Sequence, residues 1–310
     1  MRNTLRTRIT QSDGTLVIIL FATIPIWMAG HWGEGLTWLS LLASLLAAYL
    51  VLEMNNRCHL MRERSRMMSA TFLFLIACMS FLHTDLRSCI LALSLSATNF
   101  SLLTAYQQRE PVWNAAAAFL SLGIGICLFP PLILAVPLLW FSCHHHVQIF
   151  SARVWRASIF GLAVPVLYAA LYFVWKGSPL PNLEQTYLHW PHYEWPPLPI
   201  IVSVATLLVI ALWSIAHFGR TSYKDNTRTR LSLQMLTMEF YFLLVLAALW
   251  PDQVGCLTAA LIVCTAPVIG HYAALAEGRF HNFLFWLFTF ILLALLILNN
   301  LGLWTILSIF

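Results

Sequence analysis

Residues 36–52 read LTWLSLLASLLAAYLVL and are followed at 53–66 by EMNNRCHLMRERSR. The first stretch carries no charged residue over a length close to the roughly 20 residues that cross a bilayer as a helix. The second stretch contains four arginines, as is typical of a loop on the cytoplasmic side of a membrane. Together the two stretches predict a membrane-spanning helix that ends in the cytoplasm.

The whole chain has a composition that favours a membrane protein. Of its 310 residues, 60% are hydrophobic and 9% are charged, and the mean hydropathy is +0.78. A soluble domain carries about 25% charged residues. So apolar a chain cannot cover a soluble globule with polar surface, and most of it must face lipid or lie inside a bundle in lipid. We therefore predict an all-α fold, a polytopic helical membrane bundle that forms a single integral membrane domain over residues 1–310.

Apolar stretches recur along the chain and predict about eleven transmembrane helices. Helices are favoured because strands that alternate polar and apolar residues at barrel spacing are absent from the sequence. The fifth and sixth stretches meet at Phe129-Pro130-Pro131, where proline ends one helix and can begin the next, and the sixth is short enough to be re-entrant or tilted. The predicted spans are 15–31, 36–52, 67–83, 88–106, 112–129, 131–143, 157–176, 198–218, 232–250, 254–275 and 281–299.

The basic residues predict the orientation of these spans. With the N-terminus in the cytoplasm, all but Arg87 and Lys176 of the 17 Lys and Arg residues fall in cytoplasmic segments, as the positive-inside rule requires. This topology accounts for the net charge of +5 and predicts no nucleic-acid partner. The cytoplasmic basic residues are Arg2, Arg6, Arg8, Arg57, Arg62, Arg64, Arg66, Arg109, Arg153, Arg156, Arg220, Lys224, Arg228, Arg230 and Arg279.

The longest outer loop contains the stretch QTYLHWPHYEWPPLP, residues 185–199, and is the first candidate site. One interpretation is an interfacial belt, because Tyr and Trp collect at the level of the lipid headgroups. The other is an active site for a sugar or lipid, in which carboxylates and a histidine act as general acids and bases and aromatic rings stack on the substrate. The catalytic candidates are Glu194, His192, Asp85 and Glu34, and the substrate-binding candidates are Trp190, Tyr193, Trp195 and Arg87.

Glu239 is the second candidate, because it lies eight or nine residues inside a predicted span, at a depth of about 13 Å. Asn99 is expected at a similar depth in the fourth span, and His271 lies nearer the cytoplasmic end of its span. A carboxylate at that depth is costly and usually faces the bundle interior or a water-filled cavity. It is either a proton, ion or headgroup site, or a protonated side chain that bonds to a neighbouring helix.

Other polar residues favour packing or interfacial roles. Asn114, Ala118, Ser121 and Gly125 form one small-residue face of the fifth span, which lets another helix approach closely. The three consecutive histidines at 144–146 point about 100° apart on a helix, so they cannot all bind one ion. Phosphate-binding, dinucleotide and metalloprotease motifs are absent. The sequence accordingly predicts no cofactor and no metal.

Two stretches resemble an uncharacterised multi-pass inner-membrane protein family of Bacteroidota, a domain of unknown function. They are WNAAAAFLSLGIGICLFPPLILAVPLLWF at 113–141 and SARVWRASIFGLAVPVLYAALYFVW at 151–175, and the resemblance is clearest over about residues 85–180. The sequence departs from the family pattern at Ala116, where glycine is expected. The resemblance implies a bacterial inner (plasma) membrane location and assigns no catalytic residue. The matching positions are Asn114, Phe129, Pro130, Arg153, Trp155, Gly161 and Pro165.

Three functions stay open from the sequence. The leading hypothesis is an envelope enzyme that acts on a lipid-linked sugar or lipid at the periplasmic face, similar to a glycosyltransferase or polymerase. The second is a transporter or flippase that uses the intramembrane Glu239. The third is a non-catalytic membrane subunit or scaffold. The partners that these hypotheses imply are the lipid bilayer, a lipid-linked glycan and other membrane proteins.

Overall fold

The computed structural model describes residues 5–29, 34–62, 65–176, 195–301 and 304, and this part of the chain is almost entirely helical. Short 3₁₀ turns at Ser80–Leu82, Pro130–Leu134, Ser222–Lys224 and Pro251–Gln253 join some of the helices. The α-helices of the described residues are α1 (Leu5–Gln11), α2 (Gly14–Met28), α3 (Gly35–Cys58), α4 (Met67–Cys78), α5 (Leu86–Thr104), α6 (Val112–Leu128), α7 (Ala135–His145), α8 (Ala152–Lys176), α9 (Leu198–Thr221), α10 (Thr227–Leu249), α11 (Val254–Leu275) and α12 (Arg279–Asn300).

The chain is a helical membrane protein, with fewer full-length spans than the sequence predicts. Among the described residues, seven helices (α3, α5 and α8–α12) are long and apolar enough to cross a bilayer. The number rises to eight if α1 and α2, which are bent by 78° against each other, form one span. The prediction of eleven spans is therefore wrong as a count of such helices. Each predicted span does contain a helix, but α4, α6 and α7 have fewer than the 18 residues that a helix needs to be counted as a candidate span.

Two of the short helices, α4 and α7, cover less than the hydrocarbon core, and a proline pair separates α7 from α6. α4 has 12 residues, which at 1.5 Å per residue cover about 18 Å of a hydrocarbon core about 30 Å thick. α7 has 11 residues and follows the 3₁₀ turn that begins at Pro130. Pro130 and Pro131 carry no backbone N–H, so the helical hydrogen bonding of α6 cannot continue into α7. Counting apolar residues through the proline pair overestimated the sixth span.

Consecutive helices run in alternating directions. α4 runs antiparallel to α3, because Asn55 donates to the Ser65 carbonyl (2.9 Å) and Ser69 donates to the Ala48 carbonyl (2.7 Å). α5 runs parallel to α3, because Ser40 bonds to the carbonyl of His83 just before α5, while Arg57 lies over the Phe100 ring near the other ends of both helices. The described helices thus run between two ends of one bundle.

We call these ends the basic face and the opposite face. The basic face comprises α1 and the connections at 59–62, 65–66, 105–111, 146–151, 222–226 and 276–278. It is held together by contacts such as Arg66 to Asp13 (3.0 Å) and Gln107 to Gln148 (2.7 Å). The opposite face comprises the connections at 79–85, 129–134 and 250–253. There the rings of Phe129 and Trp250 pack edge to face, with their centroids 6.4 Å apart.

Helix α11 forms the centre of the bundle. Of the residues in its most apolar segment, 89% are buried inside the bundle. The corresponding share is 17% in α8, 28% in α9 and 22% in α12, whose apolar side chains face outward as lipid requires. α11 packs against α4, α5, α9 and α10. A Cβ atom at Gly270 would lie 2.7 Å from the Cα atom of Met68, so glycine is required where α11 meets α4.

Helices α6 and α8 form the closest parallel pair. A Cβ atom on Gly161 of α8 would lie 2.3 Å from the carbonyl oxygen of Ala116, and one on Gly123 of α6 would lie 2.4 Å from Pro165. Both contacts advance in the same direction along the two helices. The predicted small-residue face of α6 instead meets α5, since Gly125 lies against Ser94 and the Ala118 carbonyl accepts from α5.

We predict that Gly161→Ala lowers stability by about 1–3 kcal/mol, because the new methyl group must push α6 away from α8. The matched control is Gly219→Ala, which adds the same methyl group in a helix with no atom within 4 Å of it and should be neutral or slightly stabilising. Thermal unfolding in one detergent measures both variants. Equal unfolding temperatures for the two would contradict the close α6–α8 contact.

Candidate functional site

At the opposite face, Asp85 initiates helix α5. Its carboxylate accepts from the backbone N–H groups of Arg87 (3.1 Å) and Ser88 (3.4 Å) and from the Ser88 hydroxyl. These are the bonds of a helix N-cap, which satisfy N–H groups that have no partner within the helix. This candidate catalytic acid therefore has a structural role in the described geometry.

Arg87 joins three parts of the opposite face. Its Nε donates to the carbonyl of Leu128 at the end of α6 (3.0 Å), and its Nη1 donates to Oε1 of Gln253 before α11 (3.3 Å). Those contacts explain a basic residue on the side of the bundle where basic residues are rare. They also fix the guanidinium, which sequence analysis offered as a substrate-binding group.

The remaining outer candidates are only partly described. Glu34 precedes α3, and its carboxylate accepts from the hydroxyl of Thr37 in the first turn of that helix (3.2 Å). Trp195 is 79% exposed just before α9. The other candidates of the outer loop lie outside the described residues, and these are Trp190, His192, Tyr193 and Glu194.

Glu239, Asn99 and Cys264 meet in the interior of the bundle, and we call them the Glu239 triad. Oε2 of Glu239 accepts from Nδ2 of Asn99 (2.7 Å) and lies 3.6 Å from Sγ of Cys264. All three side chains are buried. They come from α10, α5 and α11, so one carboxyl group connects the central helix to two of its neighbours.

The periodicity of the helices explains how the triad assembles. On α10 the buried positions Ser232, Met235 and Glu239 follow at steps of three and four, as one face of a helix requires. Glu239 and Cys264 each lie near the midpoint of their helix. Sequence analysis named Glu239 and Asn99, and the structure brings these two together. It did not name Cys264, which reads as an ordinary apolar packing residue.

Two oxygen atoms of the triad have no hydrogen-bond partner among the described residues. They are Oε1 of Glu239 and Oδ1 of Asn99. No Lys, Arg or His of the described chain forms an ion pair with Glu239. An unpaired carboxylate is costly to bury, so the protonated carboxyl is the less costly form here.

A second polar group, which includes His271, lies at the basic face. Nε2 of His271 is 3.2 Å from Oδ2 of Asp225, and Nε of Arg62 is 2.9 Å from Oδ1 of the same carboxylate. The Asp225 side chain is fully buried. His271 thus does not join Glu239; it pairs with Asp225, which also pairs with Arg62, and sequence analysis selected neither of these two as a site residue. The available signal was a lone acid in the otherwise basic stretch YKDNTRTR, residues 223–230.

A third group surrounds Tyr272 and was also missed. The Tyr272 hydroxyl is 3.2 Å from Nδ1 of His281, and the rings of His217 and His281 are 4.8 Å apart. Arg6 of α1 donates to the Ala273 carbonyl through Nε (3.1 Å) and Nη2 (2.8 Å). These residues come from α1, α9, α11 and α12 and are distant in sequence, so sequence spacing alone could not reveal them.

The histidines at 144–146 diverge at the end of α7. His145 stacks on Phe141, while His144 meets the edge of Phe150. Burial, assisted by the neighbouring His145, lowers the pKa of His146, so this ring is neutral at pH 7. No group of three metal-binding side chains occurs in the described ranges.

Comparisons with known proteins do not extend these observations: no protein-family model, no curated protein and no solved structure matches the chain.

We predict that Glu239→Ala lowers stability by about 1–3 kcal/mol, since it leaves the Asn99 amide unpaired and opens a cavity between three helices. Glu239→Gln keeps an oxygen that accepts from Asn99, so its free energy of unfolding should lie within about 1 kcal/mol of the wild-type value. Thr237→Ala is the control on the same helix, because Thr237 bonds only to its own helix at Leu233. Unfolding in detergent measures all three, and equal values for Ala and Gln would show that the bond to Asn99 contributes nothing.

Proposed function

We propose that this protein is a membrane transporter that carries protons through Glu239. The observation that supports the proposal is the buried carboxyl group of Glu239, one oxygen of which is held by Asn99 and Cys264 while the other lacks a partner in the described chain. Intramembrane ionisable residues are costly, and they commonly mark proton relays and ion pathways. If the carboxyl group served only to hold neighbouring helices together, we would expect both of its oxygens to form hydrogen bonds with them.

Polar side chains between the triad and the basic face support the same function. Ser232 lies seven residues before Glu239 on the same face of α10, and its hydroxyl is buried without a partner in the described residues. His271 lies seven residues after Cys264 on the same face of α11. Seven residues are two helical turns, or about 10 Å. Side chains that can exchange protons thus lie about two helical turns from the triad on both α10 and α11.

The proline inside α11 adds a further polar atom near the triad. Pro267 has no N–H group, so the carbonyl of Val263 loses its helical partner beside Cys264. Freed backbone carbonyls near the centre of a bundle are a common feature of ion and substrate sites in transporters. The proline also gives α11 a point at which it can bend.

The outer-face enzyme is the weaker proposal in this geometry. Its described carboxylates, Asp85 and Glu34, both bond at helix starts, and Arg87 is engaged by two helix ends. Its remaining acid–base candidates, Glu194 and His192, lie outside the described residues. The non-catalytic subunit is the outcome that remains if Glu239 carries no proton.

The orientation and the location belong to the same proposal. We place the basic face in the cytoplasm of a bacterium and the protein in the inner membrane. The support is the distribution of Lys and Arg together with the alternating helix directions.

Proton flux tests the function. The assay uses proteoliposomes with an imposed membrane potential and an internal pH-sensitive dye. We expect the rate of proton entry to be well above that of empty vesicles for the wild type and at least about tenfold lower than wild type for Glu239→Gln. Asp85→Asn and Thr237→Ala are controls and should keep the wild-type rate. Wild-type flux equal to that of empty vesicles would contradict the proposal and favour the non-catalytic subunit. Unchanged flux in Glu239→Gln would show that protons do not pass through this carboxyl.

Labelling in intact cells tests the orientation. Tyr223→Cys and Asp252→Cys place exposed thiols on the basic and opposite faces, in a background where the exposed Cys127 is replaced by alanine. We expect a membrane-impermeant maleimide to label Asp252→Cys from outside and Tyr223→Cys only after permeabilisation. The reverse pattern would invert the topology, and labelling of both from one side would exclude it.

A further inference from the structure

A basic cleft opens between the first turns of α6 and α8 at the basic face. Its volume is about 380 Å³, and we call it the arginine cleft. It lies on the outside of the bundle, away from the Glu239 triad and from every residue used in the proposed transport path. Its lining residues are Arg109, Glu110, Pro111, Val112, Ser151, Ala152, Arg153, Val154 and Arg156.

The charged side chains make the cleft attractive to an anion. Three guanidinium groups line it against one carboxylate, and that carboxylate, Glu110, is paired with Arg153 at 2.6 Å. Arg156 bonds to the backbone carbonyl of Ala152 (3.2 Å), which leaves its charge uncompensated. Arg109 forms no hydrogen bond or ion pair within the described part of the chain. The cleft therefore has an excess of two positive charges.

The backbone of both helices adds to this attraction. α6 and α8 are parallel and both begin at the cleft, so their first N–H groups lie at the same place. At the start of α8 the Ser151 hydroxyl accepts from the Val154 N–H (3.3 Å), so the uncapped N–H groups are those of α6. The partial positive charge of each helix start favours a phosphate or carboxylate there. The residue before α6 is Pro111, whose side chain provides no cap for these N–H groups.

Exposed aromatic residues place the cleft at the level of the lipid headgroups. Trp113, the second residue of α6, is 85% exposed, and Trp155, the fourth residue of α8, is 42% exposed. Tryptophan collects at the boundary between headgroups and hydrocarbon. Ile159 and Phe160 are also exposed one helical turn further into α8, as expected of a surface in contact with acyl chains. The cleft thus opens toward lipid headgroups and has an apolar surface directly beneath it.

We infer that the arginine cleft binds the phosphate of an acidic phospholipid. The phosphate oxygens accept from Arg109, Arg156 and the N–H groups at the start of α6, and the acyl chains lie along Trp155 and Ile159. Arginine suits this role because its planar guanidinium presents paired donors to a phosphate. The bound lipid holds the two helix starts together and so supports the α6–α8 pair.

Native mass spectrometry and thermal unfolding of the full chain test the inference. The probe is phosphatidylglycerol, added to protein purified in phosphatidylcholine nanodiscs. The test variant is Arg109→Gln with Arg156→Gln, which removes two charges from the cleft and leaves the Arg153–Glu110 pair intact. The matched control is Arg220→Gln with Lys224→Gln, which removes two exposed charges from the same face outside the cleft.

We expect wild type and the control to retain phosphatidylglycerol and to gain thermal stability from it. The cleft variant should bind about tenfold more weakly and lose that gain, while unfolding like wild type in pure phosphatidylcholine. Equal loss in the cleft and control variants would show general attraction to the basic face and overturn the site. Inorganic phosphate that displaces the lipid, or stabilises the protein equally without it, would assign the cleft to a soluble anion instead.

Discussion

The absence of water in the bilayer core is the constraint on which this structure depends. Polar groups that enter the core are costly unless they find a partner in the protein. Many hydroxyls of the described helices bond back to a carbonyl of their own helix, as Ser214 does to Ile210, and a few side chains bridge between helices. Asn299, for example, donates to the Cys78 carbonyl (2.8 Å) and to the Ser203 hydroxyl (3.0 Å), joining α12 to α4 and α9. The Glu239 triad does the same for α5, α10 and α11. Such bonds select partners among helices that lipid alone would not distinguish.

Helix α11 concentrates these contacts because it alone among the candidate spans is enclosed almost completely. Small residues let its neighbours approach, as at Gly270, and polar side chains then reach them without crossing lipid. On α11, Cys264 contacts Glu239, His271 contacts Asp225, and Tyr272 contacts His281. The central position of one helix therefore accounts for all three polar groups, and a change in its position would affect them together.

The sequence predicts the helices far better than it predicts their neighbours. Apolar length and basic ends located every helical segment from α2 to α12, and depth along the chain selected Glu239 and Asn99. The number of full-length spans was wrong because three apolar stretches that were counted as spans hold the short helices α4, α6 and α7, of 12, 17 and 11 residues. Arg62, Asp225, His217 and His281 were missed for a different reason. Their roles come from contacts between distant helices, and helix periodicity specifies a face without specifying what lies against it.

The surroundings of Glu239 on α10 are asymmetric, and this asymmetry bears on how a proton could reach it. Toward the opposite face the buried positions are Phe240, Leu243 and Leu246, which offer no hydrogen bond. Toward the basic face they include Ser232 and Thr229, and the loop beyond them carries the buried Asp225. On α10 the buried hydroxyls thus lie on the basic-face side of Glu239, whereas on α5 the buried hydroxyls of Ser94, Ser96 and Thr98 lie on the opposite-face side of Asn99. The proposed function requires that a proton reach Glu239 from both faces, and Pro267 gives the central helix α11 a point at which it can bend.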